Sequence, residues 1–412
     1  MPAPREGKRL GREWAIHELM NAKGLTLEEA DARLAAVQKE YGVNYHRFGQ
    51  VKGYHIESDD FRAEYDRLFA ERSARKKVKK AANVQARKDE DVESIPKIME
   101  VTGWDEATTL AQVKAAGRRS GVRPSQYYYY QMFKRTPKEQ KQFFGRTINS
   151  ALFKKYPARG YMDSMLGDKE RSNYFFAEYI KRPWCVNTRI SEQDFIDRFA
   201  GETRLFYKPI NDHQGKGAES INLENMTLSE AYAKLKDYPE GVVEGYIRQH
   251  PKMNELSPTA VNTLRIVTLS SLAEPVDESG AWCAVAYATL KMGGVTGCVD
   301  NLAGGGLAAG VDLETGTLCT NAVNENLESY EYHPVTGTKV KGFEIPYYRE
   351  AVEMALDALN KYQIEGYLGW DIALTETGPE LVELNTTPAP VLFQLPYSFE
   401  GKGVGPHMRK FL

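Results

Sequence analysis

The residues best suited to chemistry lie near the C-terminal end, between Gly369 and Asn385. An apolar run, Trp370 to Leu374, precedes Glu376-Thr377-Gly378-Pro379, which supplies turn chemistry. A second run follows from Glu380 to Leu384, so the pattern is a β-hairpin. At a period of two, Leu381, Glu383 and Asn385 share one face, and Val382 and Leu384 share the other. Pairing across the turn brings Asp371 to the Glu383 face. Two carboxylates and an amide oxygen there suit a hard cation such as magnesium, which takes a few oxygen ligands and leaves the rest to phosphates and water. An ordinary hairpin with an acidic solvent face uses the same residues, so the metal reading needs support from the rest of the chain.

Phosphate chemistry is suggested farther upstream. Arg204 to Pro209 reads as a strand with Lys208 near its end, and Ser220-Ile221-Asn222-Leu223 as the return strand. Between them lies Asp212 to Ser220, where Gln214, Gly215, Lys216 and Gly217 form a loop whose backbone N–H groups can close on phosphate oxygens. Most Gly-Lys-Gly loops are simple turns; a cation on the preceding strand makes this one more specific. Gly241 to Ile247 is an apolar strand holding one acid, Glu244. It could form a slot for a purine; taken by itself the segment favours a buried edge strand with an outward glutamate. Val261 to Leu269 alternates, with Thr263, Arg265 and Val267 on one face. An arginine there needs a phosphate, a carboxylate ligand or an internal salt bridge. Gly304 to Gly306 removes side chains where a loop passes close to backbone or ligand.

These residues must be positioned by ordinary elements. Thr227 or Ser229 caps a helix through Ala231 and Leu235. Ala281 to Lys291 is a further strand, and Glu314-Thr315-Gly316 is the turn of a second hairpin. Tyr347 to Tyr362 is an amphipathic helix through Ala351, Met354, Ala355 and Leu359, and the tail from Phe399 to Leu412 is expected to close over one side of the site. The first 158 residues read as mainly helical. Thr26-Leu27-Glu28-Glu29 is a capping box before a helix that stops near Gly42, and Asp105 opens a helix ending near Gly121. A basic run from Arg72 to Lys80 is the usual pattern of a solvated helix face, or else a docking surface for an acidic partner. Tyr127 to Tyr130 cannot all be buried on one face, so some of these phenols are expected to meet neighbours or substrate.

The whole chain sets limits. Its 412 residues allow two to three domains, and 54 basic against 56 acidic residues leave no global pull toward nucleic acid or membrane. Met1 to Trp14 has no apolar core of a signal peptide, and the longest apolar run, Ala281 to Leu290, is too short to span a bilayer. Cys185, Cys283, Cys298 and Cys319 show no metal spacing and fit a reduced, cytoplasmic setting.

Taken in order, the lysine before a glycine loop, the Val-Val-Glu strand, the strand arginine, and then Asp and Glu-x-Asn resemble the ATP-grasp superfamily. Asn262-Thr263-Leu264-Arg265, Val299-Asp300-Asn301 with Gly304-Gly305, and Gly369-Trp370-Asp371-Ile372 resemble its sugar-transfer-associated branch, over roughly residues 160 to 395. The resemblance implies an α+β ATP-grasp fold, two α+β subdomains clasping ATP, with a mainly helical N-terminal region. Its parts would be a helical region over 1–158, a lid and nucleotide-binding subdomain over 159–250, and a catalytic subdomain over 251–412. It implies that Lys208 binds the α- and β-phosphates and that Gln214, Gly215, Lys216 and Gly217 close over the triphosphate. Val243, Glu244, Tyr246 and Ile247 would line the adenine pocket, and Arg265 would stabilise the transferred phosphoryl group. Asp371, Glu383 and Asn385 would hold Mg2+. The expected activity is an ATP-dependent carboxylate–amine ligase working through an acyl phosphate. A small-molecule, peptide or glycan acid would be joined to an amine, with no nucleic acid or membrane partner. The alternatives are a kinase acting on a hydroxyl and a catalytically silent nucleotide-binding partner protein. The helical N-terminus departs from the family, whose members carry a Rossmann-like substrate subdomain there.

Overall fold

In the computed structural model the described residues are Thr26, Glu28, Glu29, Ala32, Ala35, 84–158, 169–209, 217–294, Asp300 and 302–412. The chain forms two compact units, Met1–Lys97 and Ile98–Leu412. In the first, Thr26 and Glu29 make the expected reciprocal capping bonds, and residues 84–97 are helical. The basic run, the Gly42 stop and the expected loop residues Gln214, Gly215 and Lys216 lie outside the described residues.

The second unit begins with short helices whose ends follow local chemistry. Helix α1 (Glu106–Ser120) is capped by Asp105, which accepts from Thr108 N, and ends at Gly121 in the left-handed region. Helix α2 (Pro124–Tyr129) contains the tyrosine run; Tyr127, Tyr128 and Tyr130 are buried, and Tyr130 donates to the Phe144 carbonyl. These phenols serve packing. Helix α3 (Arg146–Lys155) then buries Ile148 and Leu152.

Two antiparallel sheets follow among the described residues. The smaller has order β1-β4-β2-β3, built from Trp184–Val186, Gly241–Gly245, Arg204–Pro209 and Glu219–Asn222. Its core combines Leu205, Tyr207, Ile221 and Val243 with Phe195 and Phe199, from and just after helix α5 (Glu192–Arg198), and with Ala231 and Leu235 of helix α6 (Leu228–Lys236). Of the two expected caps of helix α6, Thr227 and Ser229, it is Thr227 that caps it, in a capping box with Glu230. Helix α4 (Lys169–Phe175) precedes this sheet in the chain.

The larger sheet has order β11-β10-β5-β6-β7-β8-β9. Its strands are Gly378–Asn385 (β11), Gly366–Thr375 (β10), Thr263–Ser270 (β5), Cys283–Met292 (β6), Leu307–Gly310 (β7), Ala322–Val323 (β8) and Ser329–Tyr330 (β9). Helix α7 (Tyr348–Tyr362) buries Ala351, Ala355 and Leu359, as its periodicity predicts. Helix α8 (Pro390–Phe399) and helix α9 (Gly405–Arg409) complete the chain. Phe144, Leu152 and Tyr156 join Val267, Leu269, Tyr287 and Tyr367 with Phe393, Met408 and Phe411 in one core, so the early helices and the tail cover one end of this sheet. Among the described residues no helix is long and apolar enough to cross a membrane.

The hairpin carrying Asp371 forms as expected, with one correction. Asp371 pairs with Glu383, but Ile372 pairs with Leu381, so the register shifts and Val382 becomes the extra residue of a bulge. Leu381 therefore lies on the face opposite Glu383, and strict period two fails at this point. Pro379 is tolerated because β11 is an edge strand.

Candidate active site

Register gathers the chemistry on one face of the larger sheet. Arg265 on β5 lies directly opposite Asp371 on β10 and Thr289 on β6; Thr263 lies opposite Lys291; Gly369 lies opposite Asn385. Paired residues on antiparallel strands share a face, so these side chains meet across three or four strands.

Their contacts form a compact charged group. The Arg265 guanidinium donates through Nε and Nη2 to the two oxygens of Asp371, the Nη2–Oδ2 distance being 2.7 Å. Lys291 Nζ lies 3.3 Å from Asp371 Oδ2 and 3.4 Å from Asp300 Oδ2. Asn385 Nδ2 donates to Asp371 Oδ2 at 3.4 Å. Asp300 in turn accepts from the backbone N and the hydroxyl of Thr263. Burial alone would raise the Asp371 pKa, but Arg265 and Lys291 outweigh it and hold the carboxyl down at about 2. Burial pulls the Arg265 pKa down, but the Asp371 carboxylate, helped by Tyr287 and Glu383, raises it on balance, so both partners stay charged. Glu383 is exposed beside this group.

The sheet entry is pinned by Asn262, which is fully buried. Its side chain donates to Gln249 Oε1, the Met253 carbonyl and the Ser257 carbonyl, and accepts from Gly293 N. The asparagine of the Asn-Thr-Leu-Arg stretch thus ties β5 to the end of β6, where Lys291 sits. Gly294 passes so close to Gly305 that a Cβ on it would lie 1.8 Å from the Gly305 carbonyl oxygen. The glycine-rich segment therefore approaches backbone. Gly369 makes room for arginine, since a Cβ there would lie 3.2 Å from Arg265 Cδ.

The other expected residues lie on the smaller sheet. Lys208 Nζ is 2.6 Å from Glu244 Oε2, and Glu244 is buried on β4 beside Val243. Tyr246 is half-buried with Arg204 over its ring, Ile247 is buried, and Gly217 is exposed in the left-handed region. The structure brings together Arg265, Asp371 and Asn385, with Glu383 paired to Asp371; it places Lys208 and Glu244 together separately. Sequence reasoning missed the contacts of Lys291, Asp300 and Thr263 in this group. Lys291 was legible only as the end of an apolar strand, because its partners come from register.

Magnesium fits the chemistry of the donor set, since Asp371, Glu383 and Asn385 offer only hard oxygen atoms. Among the described residues no three His, Cys, Asp or Glu side chains converge as a metal cluster, so the set depends on the Asn385 amide.

A family model described as sugar-transfer-associated ATP-grasp matches residues 206–410. Over that span the chain belongs to the sugar-transfer-associated ATP-grasp family. The ATP-grasp fold thus accounts for the mixed helices and two antiparallel sheets. Among solved structures, N5-carboxyaminoimidazole synthetase from Staphylococcus aureus complexed with ADP is 13% identical, with 56% of this chain and 48% of that one covered, at a TM-score of 0.35. D-alanyl-alanine synthetase A from Vibrio cholerae is also 13% identical, with coverages of 61% and 64% and a TM-score of 0.35. D-alanine–D-alanine ligase from Bacillus anthracis complexed with ATP is 13% identical, with coverages of 60% and 65% and a TM-score of 0.34. This ATP-grasp chain therefore spans less than two thirds of each. No curated protein gave a significant match.

Proposed function

We propose that this chain is an ATP-dependent carboxylate–amine ligase. The observation that carries the reading is the convergence of Arg265 and Lys291 on Asp371, one strand from the exposed Glu383. Two fixed cations on a sheet face are what a transferring phosphoryl group requires, because its charge spreads over three oxygens. In the reading, a substrate carboxylate oxygen attacks the γ-phosphorus and the bond to the β-bridging oxygen breaks, releasing ADP. An amine then attacks the acyl carbon, loses a proton, and expels phosphate to leave an amide. Arg265 and Lys291 orient and neutralise the γ-phosphoryl oxygens, Lys208 meets the α- and β-phosphates, and the 214–217 loop covers them. Val243 to Ile247 line the adenine pocket. Asp371, Glu383 and Asn385 would hold magnesium, which when bound supplies further charge neutralisation.

The same reading assigns nucleotide binding to residues 159–250 and catalysis to 251–412, with 1–158 as the helical region. The acid is a small molecule, peptide or glycan, and the setting is cytoplasmic. A substrate screen coupled to ADP detection, with mass spectrometry of the products, tests it. ADP release that needs both an acid and an amine supports the ligase. Release with a single alcohol would assign a kinase instead, and nucleotide binding without turnover of any pair would leave a silent binding protein.

A further inference from the structure

The segment entering β1 holds a buried arginine that the catalytic reading does not use. Arg182 has a side chain 3% exposed, between two carboxylates each 4% exposed. Its Nη1 donates to Glu380 Oε1 at 2.7 Å and to the Leu381 carbonyl at 2.8 Å; its Nη2 donates to Glu244 Oε1 at 2.9 Å. Glu380 Oε1 also accepts from the backbone N of Lys181 and of Arg182, at 3.2 and 3.0 Å. Asn173 Nδ2 adds a 3.3 Å bond to Glu244 Oε1. The other oxygen of Glu244 accepts from Lys208. The result is an alternating row, Glu380, Arg182, Glu244, Lys208, running from β11 of the larger sheet to β2 of the smaller one.

The balance of charge in this row determines how tightly Lys208 is held. Burial pushes the Glu244 pKa up, yet Arg182 and Lys208 together keep it at about 2, so it is ionised and draws on both cations. With Arg182 in place, Glu244 shares its charge between two partners, and Lys208 keeps an ammonium that can also serve phosphate. Without Arg182, a buried carboxylate would depend on Lys208 alone, and a desolvated charge does not release its last partner readily. The guanidinium suits this place because its planar fork reaches two carboxylates at once, which a lysine ammonium on a single stem does not.

We infer that Arg182 is a positioning residue: by satisfying Glu244 and Glu380 together it keeps Lys208 available to nucleotide phosphates and ties that lysine to the strand bearing Glu383 and Asn385. The inference rests on the reading of Lys208 as a phosphate ligand, so Lys208→Ala serves as the control.

The test is calorimetric titration of the full-length chain with ADP in magnesium buffer, with thermal unfolding of each variant to establish folding. Arg182→Met is expected to weaken ADP binding about tenfold, the size of one lost charge-assisted contact. In a Glu244→Gln background, taken as its own reference because Glu244 also lines the proposed adenine pocket, adding Arg182→Met should cost less than about threefold, since the carboxylate that would hold Lys208 is gone. A merely structural clamp acting through Glu380 predicts the same loss, about tenfold, in both backgrounds. If Arg182→Met does not fold, Arg182→Lys takes its place and should weaken ADP binding with the same suppression of the loss in the Glu244→Gln background. Wild-type affinity in the Arg182 variant, or an equal loss in both backgrounds, overturns the inference while a weakened Lys208→Ala leaves the phosphate assignment standing. Unchanged affinity in Lys208→Ala removes the premise itself.

Discussion

At the scale of single residues, the charged group around Asp371 is where substitutions should speak most clearly. Arg265→Ala and Lys208→Ala are each expected to lower turnover by about a hundred- to a thousandfold, the loss seen when one preorganised electrostatic contact is removed from a transferring group. Circular dichroism should show the fold intact, and near-normal ADP production at saturating ATP by either variant would count against its assignment. Glu383→Gln separates charge from shape. Its carboxylate is exposed next to Asp371, and the amide keeps the size while removing the charge. Turnover should fall severely and the magnesium requirement should rise, whereas ADP affinity should change little. Wild-type turnover at ordinary magnesium would move the metal site elsewhere. A third expectation concerns pH. Asp371 and Glu244 are both held down at about 2, so their folded values lie below those of the unfolded chain. Each therefore contributes stability that is fully present above about pH 5, above the unfolded values of both groups, and is lost as pH falls toward 2, on the order of 2 kcal/mol apiece. Thermal melts from pH 6 to 2 should show this acid loss, and Asp371→Asn should remove the Asp371 share of it while the Glu244 share remains. An unaltered pH profile in that variant would mean the ion pair does not act as described.

At the scale of elements, positions read from local chemistry were legible and positions set by pairing were not. Asp105 and Gly121 marked both ends of α1, Thr227 or Ser229 the start of α6, and the Asp371 hairpin followed from its turn, because caps and turns are decided by a few adjacent residues. The expected strand over Ala281 to Lys291 is there, yet Lys291 was not read as a site residue; its neighbour Asp371 lies two strands away. The bulge at Val382 was invisible for the same reason, since alternation alone predicts Leu381 on the Glu383 face. The tyrosine run was expected to meet neighbours or substrate; on and just after a short helix packed into the core, three of its four tyrosines are buried and Tyr130 meets the neighbouring Phe144 carbonyl. One element-level consequence can be tested at Gly369. Its missing side chain leaves β10 room for the arginine stem, with Pro388 Cβ 3.3 Å and Arg265 Cδ 3.2 Å from where a Cβ would stand. Gly369→Val, with two further methyl groups, should displace the guanidinium from Asp371. Turnover should drop at least about tenfold for a misplacement near 1 Å, while stability changes by only about 1–3 kcal/mol. Chemical denaturation and ADP production on the same preparation would tell these apart; equal turnover would show that Arg265 tolerates the shift.

At the scale of the whole unit, the catalytic sheet face is completed by segments far apart in the chain. Tyr156, at the end of α3, donates to the Phe411 carbonyl at 2.7 Å, and the Tyr367 backbone N donates to the Tyr156 carbonyl at 3.0 Å. Gln394 is fully buried and links the two regions, its Oε1 accepting from both Phe144 N and Val404 N at 3.0 Å. The tail thus does more than cover one side of the sheet, because it closes a core that α3 and the strands share. Val404, Met408 and Phe411 are each under 8% exposed in that core. Removing Gly403–Leu412 would expose their packing surfaces at about 1.5–3 kcal/mol per side chain, roughly 5–9 kcal/mol together. It would also remove one of the two bonds that Gln394 Oε1 accepts and the bond that the Tyr156 hydroxyl donates to Phe411, at about 1 kcal/mol each. Those sums rival the roughly 5–15 kcal/mol that holds a typical domain folded. The chain ending at Lys402 is therefore expected to lose its cooperative thermal transition and to bind a hydrophobic dye, even though it retains Lys208, Arg265, Lys291, Asp371, Glu383 and Asn385. Met408→Ala, a milder lesion in the same core, should keep the transition and lower stability by about 2–5 kcal/mol, leaving ADP affinity unchanged at temperatures where the variant is folded. A truncated chain that melts cooperatively near the wild-type temperature would show that the sheet and its early helices form a core without the tail.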